Sequence, residues 1–241
     1  MTSPDPALPE SSPPTPPPDR QWLSPALRSS LVSALSLFAF TLVFTSIMAF
    51  THEMTRERIR AAIEQQQMLL IDEVLPGLPY DNALLADVIE VGNSGKSRIG
   101  RVWRARHGNT PVALVFETFA PDGYGGRINL VVSLDNAGHI GGVRVASHQE
   151  TPGLGDYIEP TKDPKKDNLW INQFKKADAA APASHWEIKK DGGGFDYRAG
   201  ATVSARAVTR AVGRAVAWVN THREVLFEAP TGTRFDAERK E

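Results

Sequence analysis

The residues best suited to chemistry lie in the run Gly200-Ala201-Thr202-Val203-Ser204. The small side chains of Gly200 and Ala201 let another molecule approach the backbone closely, and Thr202 offers a hydroxyl where a helix is predicted to begin. Unpaired amides and the positive dipole end of a helix favour a phosphate there, with Ser204 as a further contact. The run therefore predicts a phosphate site. The alternative is that Thr202 or Ser204 only caps the helix while Gly200 makes the preceding turn.

A second run upstream, His148-Gln149-Glu150-Thr151-Pro152-Gly153-Leu154-Gly155, is typical of a rigid loop. Its proline fixes one backbone angle and its glycines permit turns and close approach, so a planar ligand could lie against exposed amides. In that interpretation Glu150 and Thr151 hydrogen-bond the ligand, Leu154 covers its face and Gly155 allows the close approach. The alternative is an ordinary connection between a strand and a helix.

Composition excludes several classes of protein. The chain has 241 residues, a formal net charge of −1 and no cysteine. Proteins that coat nucleic acid need a clustered excess of Lys and Arg, so a nucleic-acid partner is not predicted. Without cysteine there is no thiolate metal site or iron–sulfur ligation, and redox chemistry would need an organic cofactor or a metal on His and carboxylate ligands. The six histidines lack metal-binding spacing, so no metal is predicted.

The N-terminal part of the chain contains an uncharged segment that is long enough to cross a membrane. Residues 29–51 carry no charged side chain, and 23 residues in a helix span about 35 Å, against a hydrocarbon core of roughly 30 Å. We predict a transmembrane helix over 27–51, in preference to a signal peptide or a buried core helix. A Pro-rich tail, 1–26, is predicted to be disordered, and 52–76 is predicted to be a helical stalk.

The remaining sequence predicts an α+β domain over 77–228, followed by a flexible tail over 229–241. Alternating apolar residues between short turns favour an antiparallel meander with strands over 98–105, 112–119, 127–134 and 140–145. Around it we expect helices over 83–90, 168–176 and 204–219 and a strand over 185–190.

Taken together, these features resemble the G subunit of Rnf-type (Rsx-type) ion-translocating electron-transport complexes. Its FMN-binding domain is shared with the C subunit of the Na⁺-translocating NADH:quinone reductase. The family pattern Asp-x-x-Ser/Thr-Gly-Ala-Thr is matched by Asp196, Gly200, Ala201 and Thr202. Ala199 departs from the pattern, which usually has Ser or Thr there; this puts the strength of transferase recognition in doubt but leaves the acceptor hydroxyl in place.

The resemblance implies a single transmembrane helix followed by an antiparallel-sheet FMN-binding domain with flanking helices. It implies FMN linked covalently through its phosphate to Thr202 by a flavin transferase that recognises a motif including Asp196. It further implies an electron relay between ferredoxin and NAD, other membrane subunits and the lipid bilayer as partners, and a periplasmic domain on the bacterial inner membrane. Counting Lys and Arg around the span instead favours a cytoplasmic domain, by a single charge.

Two further candidates, Tyr124 and Lys190, follow from the resemblance, and a third, Arg206, from its position near the predicted start of the last helix. Tyr124, in Asp122-Gly123-Tyr124-Gly125-Gly126, is a candidate to stack near the flavin, although a hairpin turn explains the glycines equally well. Lys190 is a candidate contact to the reduced ring, and Arg206 to the phosphate, with a solvated helix face as the alternative for Arg206. The competing functions are a membrane-tethered FMN-binding regulator or sensor, and a non-redox adaptor that has lost the cofactor.

Overall fold

The computed structural model describes residues 25–75, 77–92 and 98–235. The chain divides into two compact units, Met1–Arg60 and Ala61–Glu241. Helix α1, Pro25–Val74, has no break between the predicted span and the predicted stalk. Residues 1–24 of the predicted Pro-rich tail lie outside the described residues.

The described part of the first unit consists of residues 25–60 of α1. Its large apolar side chains, such as Leu35, Phe38 and Phe44, are exposed to the surroundings. Within the described ranges, α1 is the one helix long and apolar enough to cross a membrane, with a mean hydropathy of 2.1 over its most apolar stretch and none of that stretch buried. An exposed apolar helix of this kind agrees with the predicted transmembrane segment.

The second unit is built on a six-stranded sheet in the order β5-β4-β3-β2-β1-β6. The strands are β1 Val88–Val91, β2 Ile99–His107, β3 Thr110–Gly123, β4 Gly126–Asp135, β5 Ile140–Ser147 and β6 Arg234–Phe235. Strands β2 to β5 form the predicted antiparallel meander. The sheet as a whole is mixed, because β6 pairs with β1 in parallel at one edge.

Both faces of the sheet are covered, because successive β3 side chains alternate between two apolar clusters. Leu114 and Phe116 contribute to a cluster with helix α2, Thr202–Thr221, whose apolar side chains repeat at helical spacing. Val115 contributes to a second cluster with Ile71 and Val74, from the last turn of α1. A short helix α3, Arg223–Glu228, follows α2.

Three predicted elements are corrected by the structure. The helix predicted over 83–90 is wrong: residues 84–86 form a turn, and the chain then enters β1. The strand predicted over 185–190 is also wrong, since this stretch lies in 3-10 turns at Ala183–Trp186 and Lys189–Asp191. The helix predicted over 168–176 is reduced to a 3-10 turn, Trp170–Phe174.

The start of the predicted C-terminal tail is ordered by a buried arginine. Arg104, on β2, pairs with Asp87 and donates hydrogen bonds to the carbonyls of Leu226, Phe227 and Ala229. These contacts hold the end of α3 against the sheet and lead the chain into β6, so the stretch 229–235 packs on the domain.

Candidate functional site

The predicted phosphate site lies where α2 begins. Thr202 is the first residue of the helix, Ala201 stands at the N-cap, and no side chain caps the first turn. Gly200 has a φ of 88°, the left-handed conformation that glycine adopts without strain, and so makes the turn into the helix. The first amides of α2 therefore have no intrahelical acceptor, and the capping role considered for Thr202 or Ser204 is not found.

Ser204 is instead part of a buried carboxylate clamp. Glu150 is 4% exposed; one of its carboxylate oxygens accepts a hydrogen bond from the Gly125 amide at 3.0 Å, and the other accepts one from the Ser204 hydroxyl. The Glu150 amide in turn donates to His148 Nδ1 at 3.0 Å. Glu150 thus ties together the β3–β4 hairpin, the loop after β5 and the start of α2.

Two glycines make this clamp sterically feasible. A Cβ on Gly155 would lie 2.7 Å from Ser204 Oγ and 2.8 Å from a Glu150 carboxylate oxygen. A Cβ on Gly125 would lie 1.8 Å from the Gln149 carbonyl oxygen. The Gly125 contact is to backbone, so no side chain fits there unless the chain moves, whereas a side chain at Gly155 would displace the Glu150 and Ser204 side chains of the clamp.

These segments enclose a cavity of about 210 Å³ beside the start of α2. The structure brings together eight of the residues predicted to bind the cofactor; the lining consists of Tyr124, Glu150, Thr151, Leu154, Gly155, Gly200, Ala201, Val203 and Ser204. Thr202 itself is half-buried, and its neighbours Ala201 and Val203 both line the cavity. Its hydroxyl has no hydrogen-bond partner within the described residues.

The electrostatics of the cavity are unusual for an anion site. Glu150 is the one charged residue among its lining, and no Lys or Arg lines it. Lys190 is exposed in the turn at Lys189–Asp191 and is absent from the lining, so the structure does not place it where predicted. Arg206 is engaged by the Asp191 carboxylate, with nitrogen-to-oxygen distances of 2.5 and 3.0 Å. An anion here would be held by backbone amides.

The stretch before Gly200 is held by contacts to Tyr157 and Asp163, which were not predicted as site residues. The Tyr157 hydroxyl lies between the Arg198 amide and the Ala201 carbonyl oxygen, 3.4 Å from each. Burial raises the pKa of Tyr157 to about 12, so the phenol stays protonated and can donate. The Arg198 guanidinium lies over the Tyr157 ring and pairs with Asp163, which is fully buried. No sequence motif marked Tyr157 or Asp163 in advance.

Asp196 presents its side chain outward while its backbone is fixed. Its carbonyl oxygen accepts from Trp170 Nε1 at 2.6 Å and its amide donates to Gln173 Oε1 at 2.7 Å. Its carboxylate is two-thirds exposed and pairs with Lys189 Nζ at 2.6 Å. A macromolecule could therefore contact this carboxylate without moving the backbone of the motif.

Comparison with known proteins agrees with this geometry. A family model described as "FMN-binding domain" matches residues 123–217, and one described as "RnfG N-terminal region" matches residues 26–74. The first match covers the β3–β4 turn, the loop after β5 and most of α2, which are the segments that build the cavity.

Curated relatives are similar over most of the chain. The G subunit of the ion-translocating oxidoreductase complex of Vibrio cholerae serotype O1 (strain M66-2) is 37% identical over 201 residues, which is 82% of this chain and 94% of that protein. The G subunits of the same name from Escherichia coli O157:H7 and Yersinia pestis are 40% and 38% identical; the matches cover 81% and 82% of this chain and 94% and 93% of those proteins. The chain therefore belongs to the family of G subunits of ion-translocating oxidoreductase complexes.

Proposed function

We propose that this chain is the membrane-anchored flavoprotein subunit of a redox-driven ion-translocating complex of the ferredoxin/NAD type. It would carry FMN bound covalently through its phosphate to Thr202 and relay electrons within the complex. The names of its relatives, the match to the FMN-binding domain and the exposed apolar helix support the proposal.

The residues around the cavity fit FMN. Tyr124 and Leu154, 74% and 54% exposed, supply apolar surface at the mouth that a planar ring would cover. The uncapped amides at Thr202 and Val203 suit the phosphate. At about 210 Å³ the cavity is smaller than the roughly 300–1,000 Å³ typical of closed ligand sites, so it would hold part of the cofactor and leave the rest open to electron partners.

One observation carries the covalent attachment: among the residues that the structure describes, the Thr202 hydroxyl at the start of α2 has no partner, no side chain caps that helix start, and no Lys or Arg lines the cavity. The dianionic phosphate would find no Lys or Arg in this lining and one buried carboxylate, Glu150, so noncovalent retention would be weak. A phosphodiester to Thr202 Oγ1 removes one negative charge and prevents dissociation. Its formation removes the hydroxyl proton and needs an activated flavin nucleotide whose leaving group departs from phosphorus.

In electron transfer, the protein would hold the flavin in place and shield it from water. The flavin supplies the redox chemistry when bound. Glu150 fixes the loop that forms one wall, Tyr157 fixes the carbonyl of the N-cap residue, and Leu154 limits access of water. Because Glu150 accepts hydrogen bonds from Gly125 and Ser204, it also positions the walls of the site, and as a lining residue it keeps acceptor capacity for the predicted contact to the ligand.

Maturation and placement follow from the same proposal. A flavin transferase would contact the exposed Asp196 carboxylate, and the exposed Ala199 next to Gly200 offers it no hydroxyl.

We place the domain on the periplasmic side of the inner membrane. Since the chain has no cysteine, a single Lys175→Cys variant can be labelled with a membrane-impermeant maleimide. Labelling of intact spheroplasts supports a periplasmic domain, and labelling only after lysis contradicts it.

The test of covalent attachment is flavin fluorescence on a denaturing gel, after co-expression with the transferase. Wild type and Thr202→Ser, which keeps a hydroxyl, should give a fluorescent band, and Thr202→Ala should give none. A band that persists in Thr202→Ala would place the bond elsewhere. If the wild-type protein gives no fluorescent band, the remaining explanations are noncovalent binding of FMN or an adaptor without a cofactor.

A further inference from the structure

A second concave surface of the domain, a groove, is separate from the predicted flavin site. It has a volume of about 880 Å³ and runs along the C-terminal half of α2, with no residue of either sequence motif in its lining. Its apolar part consists of Ala181, Ala183, Trp186, Gly213, Ala217 and Trp218. The proposed electron-transfer function leaves this surface unexplained.

The groove carries an excess of positive charge. Arg98, Arg210 and Arg214 line it, against a single acid, Glu187. Arg210 Nε lies 2.8 Å from both carboxylate oxygens of Glu187, which satisfies that pair. Within the described ranges neither Arg98 nor Arg214 has a carboxylate within 4.0 Å, so two positive charges remain unmatched.

The surroundings of Arg214 make this excess unfavourable in the isolated chain. Burial lowers the pKa of Arg214, and the like charges of Arg98 and Arg210 lower it further, with Asp122 and Glu187 opposing them. Arg214 is exposed, so a carboxylate supplied from outside could reach it and would offset the repulsion among these like charges.

One wall of the groove is a rigidly held indole. Trp186 is 4% exposed, and its indole Nε1–H has no acceptor among the described residues. The ring is fixed by stacking on Phe195, with centroids 5.3 Å apart, and by Gly213, where a Cβ would lie 2.3 Å from Trp186 Cγ. The Nε1 atom is itself closed to solvent, so the indole forms a rigid part of the groove wall and is not a contact point for a partner.

We propose that this groove binds an acidic, partly apolar segment of another subunit of the same complex. Carboxylates of that segment pair with Arg98 and Arg214, and its apolar side chains cover Ala217 and Trp218. A protein partner is favoured because Trp and Arg are the residues most enriched at the energetic centres of protein interfaces. Membership of a family of complex subunits supports the same choice.

The experiment uses the full chain in its assembled complex. Ala217, exposed in the groove, is replaced by the photo-cross-linker p-benzoylphenylalanine, and the cross-linked peptide is identified by mass spectrometry. We expect a peptide of another subunit that contains at least two Asp or Glu residues close together. Arg214→Glu should lower the cross-linked fraction at least tenfold. Lys175→Glu, an equal charge change at an exposed lysine outside the groove, should leave it unchanged.

A charge exchange completes the test. Replacing the identified partner carboxylate by Lys should restore the cross-link in the Arg214→Glu variant. The flavin band on a denaturing gel shows that each variant is folded and matured, so loss of the cross-link with the band retained is specific to the groove. A cross-link only to this chain, either to residues 236–241 or to a second copy, overturns the proposal, as does a cross-link indifferent to Arg214→Glu.

Discussion

The two ends of α2 present two different solutions to holding a negative charge. At its start the cavity offers backbone amides, a free hydroxyl and glycines, with no Lys or Arg in the lining. Along its C-terminal half the groove offers three arginines and two tryptophans. Backbone amides position one anion accurately but hold it weakly, whereas side-chain cations attract any suitably shaped acid. The first arrangement suits a covalent cofactor and the second a reversible partner.

This comparison predicts opposite responses to salt. A phosphodiester at Thr202 survives high ionic strength, while ion pairs at Arg98 and Arg214 weaken as salt screens them. Variants that damage one end of α2 should therefore leave the other end functional as long as the domain stays folded.

Glu150→Ala should have the largest effect. It leaves the partly buried Gly125 amide and the buried Ser204 hydroxyl without an acceptor, at a cost of about 3 kcal/mol for the two groups. We expect a lower free energy of unfolding in urea together with loss of the flavin band. Glu150→Gln, which keeps an oxygen for Gly125 and can donate to Ser204, should recover much of both. Equal loss in the two variants would contradict the clamp.

Asp163→Asn should come next, at about 2 kcal/mol, because it removes a charged partner of Arg198. Burial alone would raise the pKa of Asp163, but the amides of Trp170 and Lys165 and the Arg198 guanidinium hold it below its usual 3.8. A lowered pKa in the folded state means that this stability is present above pH 3.8 and is lost as the pH falls through the lowered value.

The measurement is urea unfolding as a function of pH. Wild type should lose stability below pH 3.8 more steeply than Asp163→Asn, in which this titrating group is absent. Parallel pH profiles for the two proteins would show that Asp163 does not contribute in this way.

Gly213→Ala tests the other end of α2. A methyl group there would lie 2.3 Å from Trp186 Cγ and force the indole away, at a cost of roughly 1–3 kcal/mol. Part of this is offset, because alanine favours a helix over glycine by about 1 kcal/mol, which leaves a net loss of up to about 2 kcal/mol. Thermal unfolding should show the loss while the flavin band remains. A lost flavin band would mean that the two ends are not independent.

Arg206→Ala should have the smallest effect. Its guanidinium is engaged with Asp191 at the surface, and it does not line the cavity. We expect flavin loading equal to wild type and little change in melting temperature. Reduced loading would revive a role for Arg206 in phosphate binding.

The sequence was most informative where periodicity was long. The repeat of apolar residues over 204–219 predicted α2, which the structure extends to Thr202–Thr221, and the alternation between turns predicted the meander. The residues of both motifs were predicted to converge, and they do, because the loop after β5 and the start of α2 are both held by Glu150.

Sequence reasoning failed where long-range contacts override local preference. The helical pattern of 83–90 yields to β1, because Asp87 is needed by Arg104 and Arg106. The alternation over 185–190 predicts a strand, yet only Ile188 pairs, with Phe195. The groove lined by Arg98, Arg210 and Arg214 could not be predicted either, because Arg98 and Trp186 are separated from α2 in sequence and meet it only in the folded domain.

The most direct test of the central proposal is mass spectrometry of the mature protein purified from its membrane. The intact chain should be heavier by one FMN less one water, and fragmentation should place that mass on Thr202. An intact mass equal to that of the bare polypeptide, or an adduct on a residue other than Thr202, would contradict the account.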